Sequence, residues 1–120
     1  MDFFRGRGRF AAAVELLLDT DEVVLCGPVI TELRRGLRAG AERARVLRLL
    51  EGCAVLEEPA RLWEEAGELG FFLGRRGATV KSLDLLIATY ALSHSIPILS
   101  GDRDFEIMKR AGLRLFLAEP

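Results

Sequence analysis

Four short runs, made almost wholly of apolar residues, set the terms on which this chain can fold. They are Val23-Val24-Leu25-Cys26, Ala54-Val55-Leu56, Ile96-Pro97-Ile98-Leu99 and Leu113 to Leu117. A strand with one wet face alternates apolar and polar residues, whereas a strand covered on both faces is apolar throughout, which is the mark of a parallel sheet. Helical periodicity fills the intervals. A helix is expected near residues 9–18, where Phe10, Val14, Leu17 and Leu18 recur at helical spacing, and another after Gly27-Pro28, with Pro28 suited to a first turn. A charged helix is expected over about 41–51, stopped by Gly52, and a longer one opened by Pro59 and closed by Arg75-Arg76-Gly77. That longer helix carries Leu62, Ala66, Leu69 and Leu73 as its apolar stripe, with Gly67 and Gly70 marking a close helix contact. Ser82 is placed to cap the next helix, and a last one is expected over about 103–111.

Strands alternating with helices give an α/β fold with a parallel sheet covered on both faces. At 120 residues, with no internal repeat, linker or low-complexity tract, the chain reads as one domain over 1–120. No apolar run approaches the roughly 18 residues needed to span a bilayer. The opening Met1-Asp2-Phe3-Phe4-Arg5-Gly6-Arg7-Gly8-Arg9 lacks the apolar stretch of a secretory signal, so a cytoplasmic protein is expected. Cys26 and Cys53 read as reduced thiols serving as small hydrophobes; a thiolate metal site would want histidines nearby, and His94 is remote from both.

In sheets of this kind ligands bind beyond the carboxyl ends of the strands. Four acidic residues stand in that position. Asp102 follows the third strand directly, and Asp104 opens the helix after it. Asp84 lies in the first turn of the helix beginning near Ser82, and Glu32 in the first or second turn of the helix after the first strand. Carboxylates brought together repel: two unit charges about 4 Å apart cost about 4 kcal/mol at an effective dielectric of 20. A hard divalent cation such as Mg²⁺ or Mn²⁺ is the usual compensation, and it can activate water and steady charge on a phosphodiester. Each acid also has an ordinary structural explanation. Acids in first turns favour the helix dipole, Asp102 and Asp104 suit a cap, and Glu32 can pair with Arg35 three residues along.

Three segments, taken together, resemble the PIN-domain family, and its VapC-like ribonucleases in particular. They are Pro28-Val29-Ile30-Thr31-Glu32-Leu33-Arg34-Arg35-Gly36, Ser82-Leu83-Asp84-Leu85-Leu86-Ile87-Ala88-Thr89-Tyr90-Ala91 and Ile98-Leu99-Ser100-Gly101-Asp102-Arg103-Asp104-Phe105. The resemblance runs over essentially the whole chain and implies a three-layer α/β fold and a metal-dependent ribonuclease. It implies that Glu32, Asp84 and Asp102 are catalytic and hold Mg²⁺ or Mn²⁺ with Asp104 in support. It further implies a homodimer silenced by a cognate antitoxin. By the same resemblance Met1 falls inside the family's opening segment, with Asp2 matching its later aspartate. The central first strand and its catalytic aspartate are therefore expected to be missing, through a misplaced start or a trimmed chain.

Charges nearly cancel, 17 Lys and Arg against 18 Asp and Glu, so any nucleic-acid contact must come from local clusters. Arg5, Arg7 and Arg9 form one such cluster and Arg34, Arg35 and Arg38 another, near Glu32; a solvated face is the ordinary alternative for both. Trp63, Phe71 and Phe72 read as core or dimer packing rather than base-stacking platforms, and His94 as a complement to a helix dipole. Two rival functions remain. One is a catalytically inactive PIN-like module binding an antitoxin or RNA. The other is a haloacid-dehalogenase-like phosphatase, suggested by Gly101-Asp102-Arg103-Asp104. Its Asp-x-Asp nucleophile should follow the first strand, and Asp19-Thr20-Asp21 precedes it instead.

Overall fold

The computed structural model describes residues 23–37, 39–100 and 102–118. In chain order these form β1 (Val24–Leu25), α1 (Gly27–Gly36), α2 (Ala41–Glu51), β2 (Ala54–Val55), α3 (Leu62–Arg75), α4 (Ser82–His94), β3 (Ile98–Leu99), α5 (Arg103–Arg110) and β4 (Leu117–Ala118). The fold is α/β. The helix expected near 9–18, the arginines of the N-terminal cluster and Asp19-Thr20-Asp21 lie outside the described residues.

Both strand pairs are parallel. β1 runs beside β2 with Val24 opposite Ala54 and Leu25 opposite Val55, and β3 beside β4 with Ile98 opposite Leu117 and Leu99 opposite Ala118. A parallel pair needs a crossover rather than a tight turn. Helices α1 and α2 supply one crossover and α5 the other. Among the described residues the strands make two separate two-stranded ladders.

The strands are shorter than the apolar runs that announce them, for local reasons. Ile96 spends its N–H on Ala91 at 3.1 Å, closing the end of α4 around a left-handed Ser95 (φ 54), and Pro97 has no N–H to give. β3 therefore starts at Ile98, whose N–H donates to the Phe116 carbonyl at 2.8 Å. In the last run Leu113 and Leu115 are buried while Arg114 and Phe116 are exposed, a period-2 pattern, but ladder residues begin only at Leu117. Burial on both faces also fails for the first two strands: Val24 is 42% and Val55 56% exposed. Successive side chains point to opposite faces, so turning Leu25 into the core turns Val24 out.

Two apolar clusters hold these elements. Leu25, Leu33, Leu37, Val46 and Leu50 bind β1, α1 and α2 together. The larger one joins Leu62 and Leu73 of α3, Ile87, Ala88, Tyr90 and Ala91 of α4, Phe105 and Met108 of α5, and Ile98. Helix α3 packs along α4, and Gly70 allows it: a Cβ there would stand 3.0 Å from Leu85 Cδ1. Gly67 has nothing within 4 Å and marks no contact, contrary to expectation. It lies on the outer face of α3 with Trp63 and Phe71, which are 67% and 65% exposed and so are not core. Phe72 is half-buried beneath the Arg76 guanidinium, 4.3 Å from its ring centre. Two helix starts also differ from expectation. α3 begins at Leu62, three residues beyond Pro59, whose carbonyl accepts the Leu62 N–H at 3.2 Å. α4 takes Lys81 rather than Ser82 as its flanking residue, so Ser82 is already helical and its hydroxyl caps nothing.

Candidate metal centre

The end of β3 and the starts of α4 and α5 meet at one edge, and each brings an acid. Asp102 has extended backbone (φ −79, ψ 131) immediately before α5, and its Oδ1 accepts the Asp104 N–H at 3.0 Å. Its own N–H donates to Ser100 Oγ at 2.9 Å, which fixes the turn leaving the strand. Asp104, in the first turn of α5, accepts the Lys81 N–H through Oδ2 at 3.3 Å, stitching α5 to the start of α4. Asp84 sits in the first turn of α4 and is only 5% exposed. One carboxylate oxygen from each of Asp84, Asp102 and Asp104 falls within 4.8 Å of the others.

The electrostatics divide the three. Burial, then a hydrogen bond shared with the Asp104 carboxyl, then the negative charges of Asp102 and Asp104 push the Asp84 pKa up to about 7. For Asp102 burial also acts upward, but the Asp104 N–H and the Lys81 ammonium are among the groups that outweigh it and hold its carboxyl below the usual range. Lys81 Nζ stands 3.9 Å from Asp102 Oδ2.

The structural explanation for these acids now divides as well. Asp102 does cap α5, but the cap uses only Oδ1. Asp84 is different: its Oδ2 is buried with no hydrogen-bond partner. A carboxylate that merely complements a helix dipole stays in water, and leaving a buried acceptor unpaired costs roughly 1–3 kcal/mol, more when charged. A donor set made only of carboxylate oxygens, one of them buried and orphaned, fits a hard divalent cation.

Glu32 is half-buried on α1 and does not join this trio, nor does it pair with Arg35 among the described residues. Arg34 and Arg35 are exposed in the last turn of α1, where the Arg34 carbonyl accepts Arg43 Nη1 at 2.8 Å. His94 ends α4 as expected and places Nε2 2.8 Å from the Glu57 carbonyl. Cys26 is buried, and burial pushes its thiol pKa up, in keeping with an unreactive core thiol. Two contributors were not foreseen. Ser100 had a signal, since it lies inside the segment Ile98 to Phe105 that carries the resemblance, two residues before Asp102. Lys81 had one, since it immediately precedes the segment carrying Asp84.

A parallel α/β fold with three carboxylates gathered where β3 ends and α4 and α5 begin is an arrangement that could hold a divalent cation. The profile of the PIN-domain family matches residues 1–111. The chain belongs to the PIN-domain family. It is 29% identical to a VapC ribonuclease of Mycobacterium bovis over 92% of this chain and 86% of that protein. Its identity to Ribonuclease VapC11 of Mycobacterium tuberculosis is likewise 29%, over the same shares. Ribonuclease VapC5 of Mycobacterium tuberculosis is 33% identical over 76% of this chain and 72% of its own length. No helix among the described residues is long and apolar enough to cross a membrane.

Proposed function

We propose that this protein is a metal-dependent endoribonuclease that hydrolyses RNA phosphodiester bonds as the toxin of a toxin–antitoxin pair. The observation that carries this reading is the buried, unpartnered Asp84 Oδ2, gathered with Asp102 and Asp104 into one carboxylate trio. Asp84, Asp102 and Asp104 would hold Mg²⁺ or Mn²⁺, and Glu32 enters the set on the strength of its sequence segment alone. An ion held there supplies Lewis-acid activation of water and stabilises charge developing at phosphorus.

The protein's own groups prepare that chemistry. Ser100 and the Asp104 N–H orient Asp102, so its carboxylate is held in place before any ion arrives. The Lys81 N–H does the same for Asp104. Burial keeps Asp84 oriented and lowers the dielectric around it. Arg34, Arg35 and Arg5 would meet RNA phosphates, which positions a strand without reading its sequence. A cognate antitoxin covering the acidic edge would silence the site, and the protein would act in the cytoplasm as a homodimer. Names of the relatives support the ribonuclease activity; the metal and the partners rest on the site's chemistry and the family resemblance.

The test is cleavage of a mixed single-stranded RNA with Mn²⁺, comparing the wild type with Asp84→Asn and Asp102→Asn. Cleavage that EDTA abolishes, and that falls at least about a hundredfold in both variants, is expected. A folded wild type whose cleavage ignores EDTA and both substitutions would refute the assignment. A folded wild type that cleaves nothing but binds RNA would favour the inactive binding module.

A further inference from the structure

The acidic trio has a cation at its rim whose placement is unlike that of an ordinary surface lysine. Lys81 is tied to the site by its main chain, because its N–H donates to Asp104 Oδ2 at 3.3 Å. Its side chain is free by comparison: it is 72% exposed, while the Asp102 side chain it approaches, at 3.9 Å, is 15% exposed. The residue thus has a main-chain hydrogen bond to one acid of the site and an exposed charge beside another. Asp84 follows three residues later in the first turn of α4, so hydrogen bond, charge and buried acid share one short segment.

We propose that Lys81 is a built-in counter-ion of the trio, and that it is displaced by the incoming divalent cation to become a positioning residue for an RNA phosphate. This rests on the nuclease reading above. A solvent-exposed ion pair near the 4 Å limit is weak, so a doubly charged ion sharing the same carboxylates displaces it readily. Once the carboxylates are neutralised, like charge repels the ammonium from them. The backbone hydrogen bond to Asp104 keeps it from leaving the rim. Lysine suits this exchange, being a compact point charge on a long flexible stem, unlike the rigid fork of arginine. The anion next available at that rim is the backbone of a strand laid across the metal, and phosphate contacts of this kind fix register without specifying bases.

The experiment uses the full chain and its Lys81→Met and Lys81→Arg variants, each verified as folded by circular dichroism. Mn²⁺ affinity is measured by calorimetry or electron paramagnetic resonance on metal-free protein without RNA. Steady-state cleavage of a single-stranded RNA is measured at saturating Mn²⁺. Removing a unit charge about 4 Å from a ligand should tighten Mn²⁺ binding about fivefold in Lys81→Met, with Lys81→Arg near wild type. In the same variant KM for RNA should rise about five- to tenfold with kcat within about twofold, and the slope of log KM against log salt should shrink by about one. Equal Mn²⁺ affinity in wild type and Lys81→Met overturns the counter-ion role, and an unchanged KM overturns the phosphate role. A wild type that binds no Mn²⁺ overturns the nuclease reading and this one with it, which separates the two failures.

Discussion

Replacing Asp84 by Asn should make the metal-free protein more stable above neutral pH while abolishing its metal response. The carboxyl moves from 3.8 to about 7 on folding, chiefly through burial. At about 1.4 kcal/mol per pH unit, that penalises the charged folded state by at most about 4 kcal/mol; solvent and neighbouring titration bring a reasonable figure nearer 2. The sign follows from proton uptake. Between pH 4 and 7 the folded chain holds the Asp84 proton and the unfolded chain does not, so stability falls as pH rises through that window and levels off above it. Asp102 works in the opposite sense, since its depressed value adds stability that is lost only as pH drops below the ordinary carboxylate range. Asn keeps the shape of Asp84 without the charge. Urea denaturation in EDTA should therefore show Asp84→Asn ahead by about 2 kcal/mol at pH 8, near 8 °C in midpoint temperature for a domain of this size, and level with wild type at pH 4.5. Adding Mn²⁺ at a hundred times its dissociation constant should raise the wild type by about 2.7 kcal/mol and the variant hardly at all. A variant less stable than wild type at pH 8 in EDTA would show that Asp84 is already compensated, and the metal argument would lose its main support.

Four further outcomes follow from the packing and the caps. Asp102→Ala should lose about 1 kcal/mol by denaturant titration through the missing cap on α5, whereas Asp102→Asn keeps the cap and loses only cleavage. Gly67→Ala should stabilise α3 by up to about 1 kcal/mol, since its Cβ meets open space. Gly70→Ala should forfeit that gain or reverse it, because its Cβ would press on Leu85 at 3.0 Å; equal midpoints for the two variants would contradict the observed packing. Leu73→Ala, at a fully buried position, should cost about 2–5 kcal/mol in chemical denaturation.

Helix positions were the most legible part of the fold. The charged stretch predicted over about 41–51 is α2 at Ala41–Glu51, because a helix is decided by local periodicity and stopped by a glycine. Strand extents were legible only as centres. Nothing in Ile96-Pro97 reveals that Ile96 will close a helix, and no apolar run states which of its faces the core will cover, as exposed Val24 and Val55 show. Within the site, Asp84, Asp102 and Asp104 could be named from their strand-end and helix-start positions together with the resemblance. Glu32 was named with them but stands apart from the trio, because its distance depends on how α1 leans, which spacing does not encode. The burial of Asp84, on which the metal argument leans, comes from tertiary packing and had no local signature in the sequence.

Asp102 carries one observed duty and one proposed: its Oδ1 secures the start of α5, and its carboxylate belongs to the trio proposed to hold an ion. Asparagine can perform the first duty and is poor at the second. On the proposed nuclease reading, a single amide in place of this carboxylate would disarm the protein while leaving its architecture intact. For a gene whose product is harmful to its host, such a change is an escape route that quality control in the cell would not notice. The silent variant would go on folding, go on occupying any partner that recognises the intact surface, and so remain biologically present after its chemistry had gone.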